Sequence, residues 1–416
     1  MSGRGDFFAL VVAQTFSISG TRLSVIAIPW LVLSITGDPV LTGLVVFAEM
    51  APYVLAKALG GPLIDRVGPR RVSVLGDFFG LFAVGAIPLL AAFDLLSVPL
   101  LFPLVALVGL LQGPADAAKH ALVPLVARRG KLPLERVTGV VGTIERLAST
   151  VGAGAAGALV ALVGPAMALS FNAVTLGFAA AILLLGVRPG TREIPEATEP
   201  KPETSYGSEL KEGFAFLRGD VVLVGIAVMV AVTNLLDQAY AAVLVPVWAQ
   251  NSGRGAETLG LVFAVMSGFS VLGAMVATAL GEKMPRLPVY VGAFMIISLP
   301  RFAVFAFDAP LMGILATLAL AGFASGFLNP IISAVILERI PEKLIGRVSS
   351  LVTASAWAFM PFGGIFGGAL IAGLGLSAAF FVAGVCYLAM TLMPLVFKGF
   401  RGFSERPLEA GRARAI

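Results

Sequence analysis

One cysteine and one histidine occur in 416 residues. With Cys386 alone there can be no internal disulfide framework. In the apolar stretch AGVCYLAM it reads as a small packed hydrophobe. His120 alone excludes most histidine-based zinc sites, and no HExxH is present. A Walker G-x-x-x-x-G-K-[ST] and an acidic pair in a Gly-x-Gly-Asp setting are also missing. An intramembrane enzyme would have to rest on scattered carboxylates, so the sequence reads as a non-enzyme. Charge is scarce as well: Asp, Glu, Lys and Arg make up 13% of the chain, against about 25% in soluble domains. The net charge of +5 is modest and points to membrane topology rather than to a nucleic-acid partner.

What fills the chain is apolar. The hydrophobic set reaches 58% and the mean hydropathy is +0.96. A soluble fold of this size would lack polar surface to cover itself, so the bilayer is the expected solvent. Apolar runs lie near 8–36, 41–63, 72–93, 98–122, 137–162 and 166–187, and again near 221–249, 257–280, 288–307, 311–337, 349–372 and 375–397. Each can cross a hydrocarbon core of about 30 Å as a helix. The expected fold class is therefore an all-α membrane protein of twelve spans. The first run reads as a span and not as a cleaved signal peptide, because it is long and another span follows at once.

Arginine and lysine alternate by side. Arg66, Arg70 and Arg71 follow span two; Arg128, Arg129, Lys131 and Arg136 follow span four. Further basic residues fall at Arg188, Arg192, Lys201, Lys211 and Arg218, then at Lys283, Arg286, Arg339, Lys343 and Arg347, and finally in the tail. The opposite loops hold Asp38, Asp94, Glu257, Asp308 and, among cations, Arg254. The positive-inside rule then places both termini in the cytoplasm. Outer loops are very short and no N-x-[ST] sequon occurs, which fits a bacterial inner membrane.

Residues 188–213, RPGTREIPEATEPKPETSYGSELKEG, are rich in proline, glutamate and threonine and read as a cytoplasmic linker. Leu210, Phe214 and Leu217 follow at helical spacing, predicting a short interfacial helix. The expected organisation is a six-helix bundle over 1–188, a linker with that helix over 189–220, a second six-helix bundle over 221–397 and a cytoplasmic tail over 398–416. The halves echo each other: GPADAAKHALV (113–123) aligns with GFLNPIISAVI (326–336), and both run into a basic, proline-containing loop. Glycines cluster on span five (Gly152, Gly154, Gly157) and on span eleven (Gly363, Gly364, Gly367, Gly368), where small residues let membrane helices approach. Two related halves with a midplane site between them are a recurring transporter plan.

The loop GGPLIDRVGPRRV (60–72) resembles the signature between spans two and three of the major facilitator superfamily. Gly61, Asp65, Arg66, Gly68, Arg70 and Arg71 supply its positions, with Pro69 displacing the second basic residue by one. RIPEKLIGRV (339–348) resembles the loop before span eleven, and IPWLVLSITGDPVLTGLV (28–45) resembles the exporter branch that handles macrolides, tetracyclines and siderophores. The exporter signature of span five is matched only in part, since STVGAGAAGAL lacks its proline. The resemblance implies two pseudo-symmetric bundles and a cytoplasmic gate. In that gate Asp65 pairs with the start of span eleven, and the loop arginines pair with an acid on span four, here Asp116. The same arginines serving only as topology determinants is the plainer alternative.

Ionisable groups inside spans cost about 2.5–3.5 kcal/mol each on insertion scales, so each needs a reason. Arg22 on span one and Glu49 on span two fall at nearly one depth, about 20 Å from the same end, and are expected to pair, as a structural tie or in transport. Glu145 and Arg146 lie on span five with Ser149 and Gly152. Glu145 in an apolar wall would load and release a proton, or form a static pair with Arg146 or Arg22. Asp237 on span seven, near Asn234 and Gln238, has no basic residue within a helical turn. It is expected to be protonated, to face water or to bind a cation, or else to mark a helix end. Arg301 is expected to snorkel outward, and Lys57, Asp77 and Lys119 to be interface or gate charges. Tyr240 and Trp357 are the aromatic candidates for the cavity wall. The resulting expectation is a monomeric secondary transporter without cofactor. It exports lipophilic or cationic small molecules by alternating access, with the proton as coupling ion. Lipid, siderophore or metabolite export without proton coupling is the alternative, and an intramembrane enzyme is more remote.

Overall fold

The computed structural model describes residues 3–188, 206–280, 284–341 and 344–396. Most of the expected linker, the tail, Arg192, Lys201, Lys283 and Lys343 lie outside the described residues, as do the side chains of Arg146 and Ser149. Among the described residues every regular element is a helix. This is the arrangement a hydrocarbon solvent favours, because a helix satisfies its backbone groups internally.

Among the described residues ten helices are long and apolar enough to cross a membrane. Spans one to four are Gly3–Thr36, Pro39–Leu59, Pro69–Ala92 and Val98–Gly130. Span six is Pro165–Gly186, and spans eight and ten are Gly255–Leu280 and Leu311–Arg339. Span seven begins as Val221–Ala239, passes through a π-helical turn at Tyr240–Leu244 and resumes as Val245–Asn251. Span nine is Arg286–Ile297 continued by Leu299–Ala306, and span eleven is Ile345–Ala358 continued by Phe362–Leu374. The remaining two of the expected twelve are span five, Leu134–Val163, which carries charge in its first half, and the shorter span twelve, Leu376–Thr391. Span four runs on to Gly130, beyond its expected end at 122, because its basic last turn remains helical.

Helix boundaries follow local chemistry. Asp38 caps span two by accepting from the backbone N–H of Val40 at 2.7 Å and Leu41 at 3.2 Å, with Pro39 opening the helix. The repeat is visible in the turns. Span three ends with Phe93 (φ −100°, ψ 10°) and Asp94 at φ 55°. Span nine ends with Phe307 (φ −100°, ψ 10°) and Asp308 at φ 46°. Aspartate tolerates the left-handed region better than most residues, and here it ends the equivalent helix of each half.

The chain forms two compact units. The first comprises Met1–Thr191, Gln238–Ala264 and Pro361–Leu376; the second comprises Arg192–Asp237, Val265–Met360 and Ser377–Ile416. The first unit thus combines the six N-terminal spans with the later part of span seven, the start of span eight and the later part of span eleven. There, span two meets span eleven through glycine: a Cβ on Gly43 would fall on the backbone of Gly364, while one on Gly364 would lie 2.7 Å from the Gly43 carbonyl oxygen. Phe47 and Phe362 pack beside them with ring centroids 5.3 Å apart.

In the second unit the expected interfacial helix forms over Tyr206–Gly219. Leu217 is buried with Leu223, Ile340, Val348 and Val352. Arg347 reaches Glu212 at 2.6 Å, and Arg339 reaches Asp220 at 2.9 Å. Asp220 also caps span seven by accepting from Val222 and Leu223 N–H.

Side chains added at the glycine seam should force the helices apart at an overpacking cost of about 1–3 kcal/mol. Gly43→Leu is therefore expected to lower the melting temperature of the detergent-solubilised protein. Gly61→Ala, with nothing within 4 Å of the added carbon, should leave it unchanged. Equal melting temperatures for both variants would contradict the tight packing.

Candidate functional site

The membrane-embedded charges of the first unit gather around span four. Lys119 is 2% exposed, and its ammonium donates to Ser17 Oγ at 2.6 Å and Asp77 Oδ1 at 2.7 Å. It also lies 3.5 Å from Asp116 Oδ1, one helical turn away. Asp116 Oδ2 accepts from the Tyr53 hydroxyl at 3.0 Å, and that hydroxyl accepts from Lys57 at 3.1 Å. Spans one, two, three and four are joined by one polar chain. It can form because Asp116 and Lys119 are three apart and Tyr53 and Lys57 are four apart, spacings that place each pair on one helix face. These spacings were legible in the sequence. That Asp77 and Lys119 meet across two helices was not, and both belong to this network rather than to an interface.

Glu145 sits at the margin of the cluster. It accepts from Gln14 Nε2 at 3.0 Å and lies 3.7 Å from His120 Nε2, with its side chain 36% exposed. The expected apolar wall is thus replaced by an amide and an imidazole. Arg22 and Glu49 do not form the expected pair, and neither makes a hydrogen bond or ion pair among the described residues. Instead Arg22 packs its Cβ 3.1 Å from where a Cβ on Gly152 would lie, and its charge acts on Tyr53 together with those of Asp116 and Glu145.

The second unit corrects two expectations. Arg301 does not snorkel: it is 2% exposed and binds Asp237 Oδ1 at 2.5 Å. Asp237, without a basic neighbour on its own helix, finds one on span nine, and the Tyr387 hydroxyl adds a contact at 3.4 Å. The Arg301 guanidinium also lies 4.8 Å from the Phe302 ring centroid and 5.1 Å from that of Tyr387, so aromatic faces share its charge. Asn234 donates to the Ala356 carbonyl at 2.8 Å, tying spans seven and eleven beside Trp357, which is half-buried. Tyr240 is buried in the π-helical turn instead of lining an open wall. Past that turn Gln250 donates to the Leu33 carbonyl at 3.1 Å.

The loop motif also departs from the implied pairing. Arg70 donates to the backbone carbonyls of Val187 at 2.6 Å and Leu184 at 2.5 Å, which fastens span three to the end of span six. Asp116 is held by Lys119 and Tyr53, so the expected arginine–Asp116 contact is not made. Asp65, Arg66 and Arg71 are exposed. Gly68 takes φ 94° at the start of span three, and Gly61 stands in open space. Another pairing not foreseen is Asp6, 0% exposed, with Arg188 at 3.3 Å and Arg129 at 3.8 Å.

Breaking the pair of span seven should be asymmetric. Asp237→Asn leaves the deeply buried guanidinium without its counter-charge, at a cost of about 3–5 kcal/mol. Arg301→Met leaves an aspartate whose side chain is 41% exposed, and a smaller loss is expected. Thermal unfolding of both variants and of the double variant would measure the coupling, and a larger loss for Arg301→Met would reverse the assignment.

Among the described residues no three His, Cys, Asp or Glu side chains lie where they could hold a metal ion. Comparison with known proteins extends over nearly the whole chain. A family model described as Major Facilitator Superfamily matches residues 10–248 and 226–414. The multidrug efflux pump Tap of Mycobacterium tuberculosis is 28% identical over 409 residues, 98% of this chain and 96% of that protein. The enterobactin exporter EntS of Escherichia coli is 28% identical over 383 residues, 89% of this chain and 85% of that protein. Two solved structures share the fold at low identity. The nucleoside transporter NupG has TM-score 0.70 and 12% identity, covering 96% of this chain and 99% of that one. A D-xylose-proton symporter has TM-score 0.71 and 13% identity, covering 94% and 98%. With ten membrane-length helices among the described residues and a family model matched from residue 10 to residue 414, the chain is a multi-pass membrane protein that belongs to the major facilitator superfamily.

Proposed function

We propose that the protein exports lipophilic, including cationic, small molecules by alternating access, driven by inward proton flow. The observation that carries this reading is the match to the efflux pump Tap over 98% of the chain. The loop arginines and lysines support a cell-membrane orientation with both termini cytoplasmic. The protein works as a monomer without a cofactor, since one chain of this fold supplies both halves of a transport path. Glu145 offers the accessible carboxylate that a cationic cargo would meet, steadied by Gln14 and His120. A second reading, siderophore export, is favoured by the match to the enterobactin exporter over 89% of the chain.

Purified protein in liposomes with an imposed pH gradient and a lumenal pH dye tests the reading. Addition of lipophilic cations or neutral drugs is expected to dissipate the gradient in a protein-dependent manner. Glu145→Gln is expected to weaken transport of cations by about tenfold, the loss of one charge interaction of about 1.4 kcal/mol, and to spare neutral cargo. Folded protein that responds to no drug but moves a catecholate siderophore would shift the assignment to the second reading.

A further inference from the structure

Lys119 has three N–H donors, and three acceptors surround it: Ser17 Oγ, Asp77 Oδ1 and Asp116 Oδ1. Two carboxylates therefore share one ammonium in a membrane-embedded setting. They are not equivalent. Asp77 is 0% exposed and sits against Lys119 at 2.7 Å, while its second oxygen, Oδ2, is buried with no hydrogen-bond partner among the described residues. Asp116 stands farther off at 3.5 Å, and its side chain is 26% exposed. A buried carboxylate oxygen without a donor is costly to keep, and a polar group left in that condition calls for a reason beyond packing.

We infer that Asp77, Lys119 and Asp116 form the proton-binding site of this transporter, with Asp116 exchanging the proton. The site is distinct from Glu145, and the inference rests on the proton-driven reading above. In the loading step a proton from water forms an O–H bond to Asp116 Oδ1, and the carboxylate becomes a neutral acid. Lys119 then faces one carboxylate instead of two and is drawn wholly to Asp77. Release returns the proton to water and restores the shared arrangement. Ser17, Tyr53, Asp77 and Lys119 belong to spans one, two, three and four, so the same event alters the ties among four helices. A bistable contact of this kind is how a local charge change becomes a helix movement.

Other charged and titratable groups around the triad come from each neighbouring helix. Span one brings Arg22; span two brings Glu49, Tyr53 and Lys57. The short helix Gly61–Val67 brings Asp65 and Arg66, which are exposed. Span four itself adds His120, and span five adds Glu145, with the Arg146 side chain outside the described residues. Lys57 donates to the Tyr53 hydroxyl, which donates in turn to Asp116. Lys119 lies directly against Asp116 at 3.5 Å, so its hold on that carboxylate changes with the proton.

Infrared difference spectra of the purified full-length protein between acid and alkaline pH test the site without any cargo. The wild type is expected to give a carboxylic-acid band that Asp116→Asn removes and Glu145→Gln keeps. Lys119→Met should shift the pH at which the band appears, and Lys119→Arg should return it towards the wild-type value. In liposomes Asp116→Asn should lose pH-driven accumulation of ethidium by about tenfold or more while retaining ethidium exchange at equal pH. A band that survives in Asp116→Asn and Asp77→Asn alike would overturn the proposal. Asp116 is partly exposed, so its variant carries the test if Asp77→Asn does not fold. A wild type that exchanges ethidium and ignores the pH gradient would defeat the proton-driven reading itself, and a band lost in Asp116→Asn would then no longer bear on transport.

Discussion

Hydrocarbon offers no hydrogen-bond partner, so each polar group inside a span must find one within the protein. That constraint organises both units. Backbone groups are satisfied by helices, and helix ends by aspartate caps or by turns with positive φ. The few buried charges are matched across helices: Lys119 to Asp77 and Ser17, Arg301 to Asp237, and Asp6 to Arg188 and Arg129. Each pair also fastens helices far apart in sequence. Arg22 and Glu49, inside spans one and two, make no such pair among the described residues.

Two sorts of information in the sequence behaved differently. Hydropathy and charge alternation depend on local composition, and they located the interfacial helix and the spans, with the largest miss at the basic end of span four, which stays helical to Gly130. Pairings among buried charges depend on helix rotation, which a linear reading does not contain. Arg22 and Glu49 lie at similar depth, yet depth alone does not make their side chains meet. Asp237 looked solitary because its partner Arg301 is 64 residues away on another helix. Spacing within one helix was readable in principle: Asp116 with Lys119, and Tyr53 with Lys57, fall on shared faces.

The motif between spans two and three identified the family but misled on its own contacts. Arg70 serves the end of span six through backbone carbonyls, a partner that no side-chain pattern announces. Asp116, assigned to a gate by resemblance, is held by Lys119 and Tyr53. A family signature fixes where the chain turns more firmly than which charges meet there. The two halves preserve backbone form in the same manner: Ala92-Phe93-Asp94 and Ala306-Phe307-Asp308 end equivalent helices, with the same φ and ψ at each phenylalanine and a positive φ at each aspartate.

The π-helical turn at Tyr240–Leu244 gives span seven one residue more than an unbroken α-helix would fit in the same length. A π-turn absorbs such a surplus within itself, so the bulge is the local trace of one extra residue and the α-helix resumes beyond it at Val245. Loss of one residue from the turn would close the bulge at the place where Tyr240 is buried, with little change of direction for Gln250, whose amide reaches the Leu33 carbonyl.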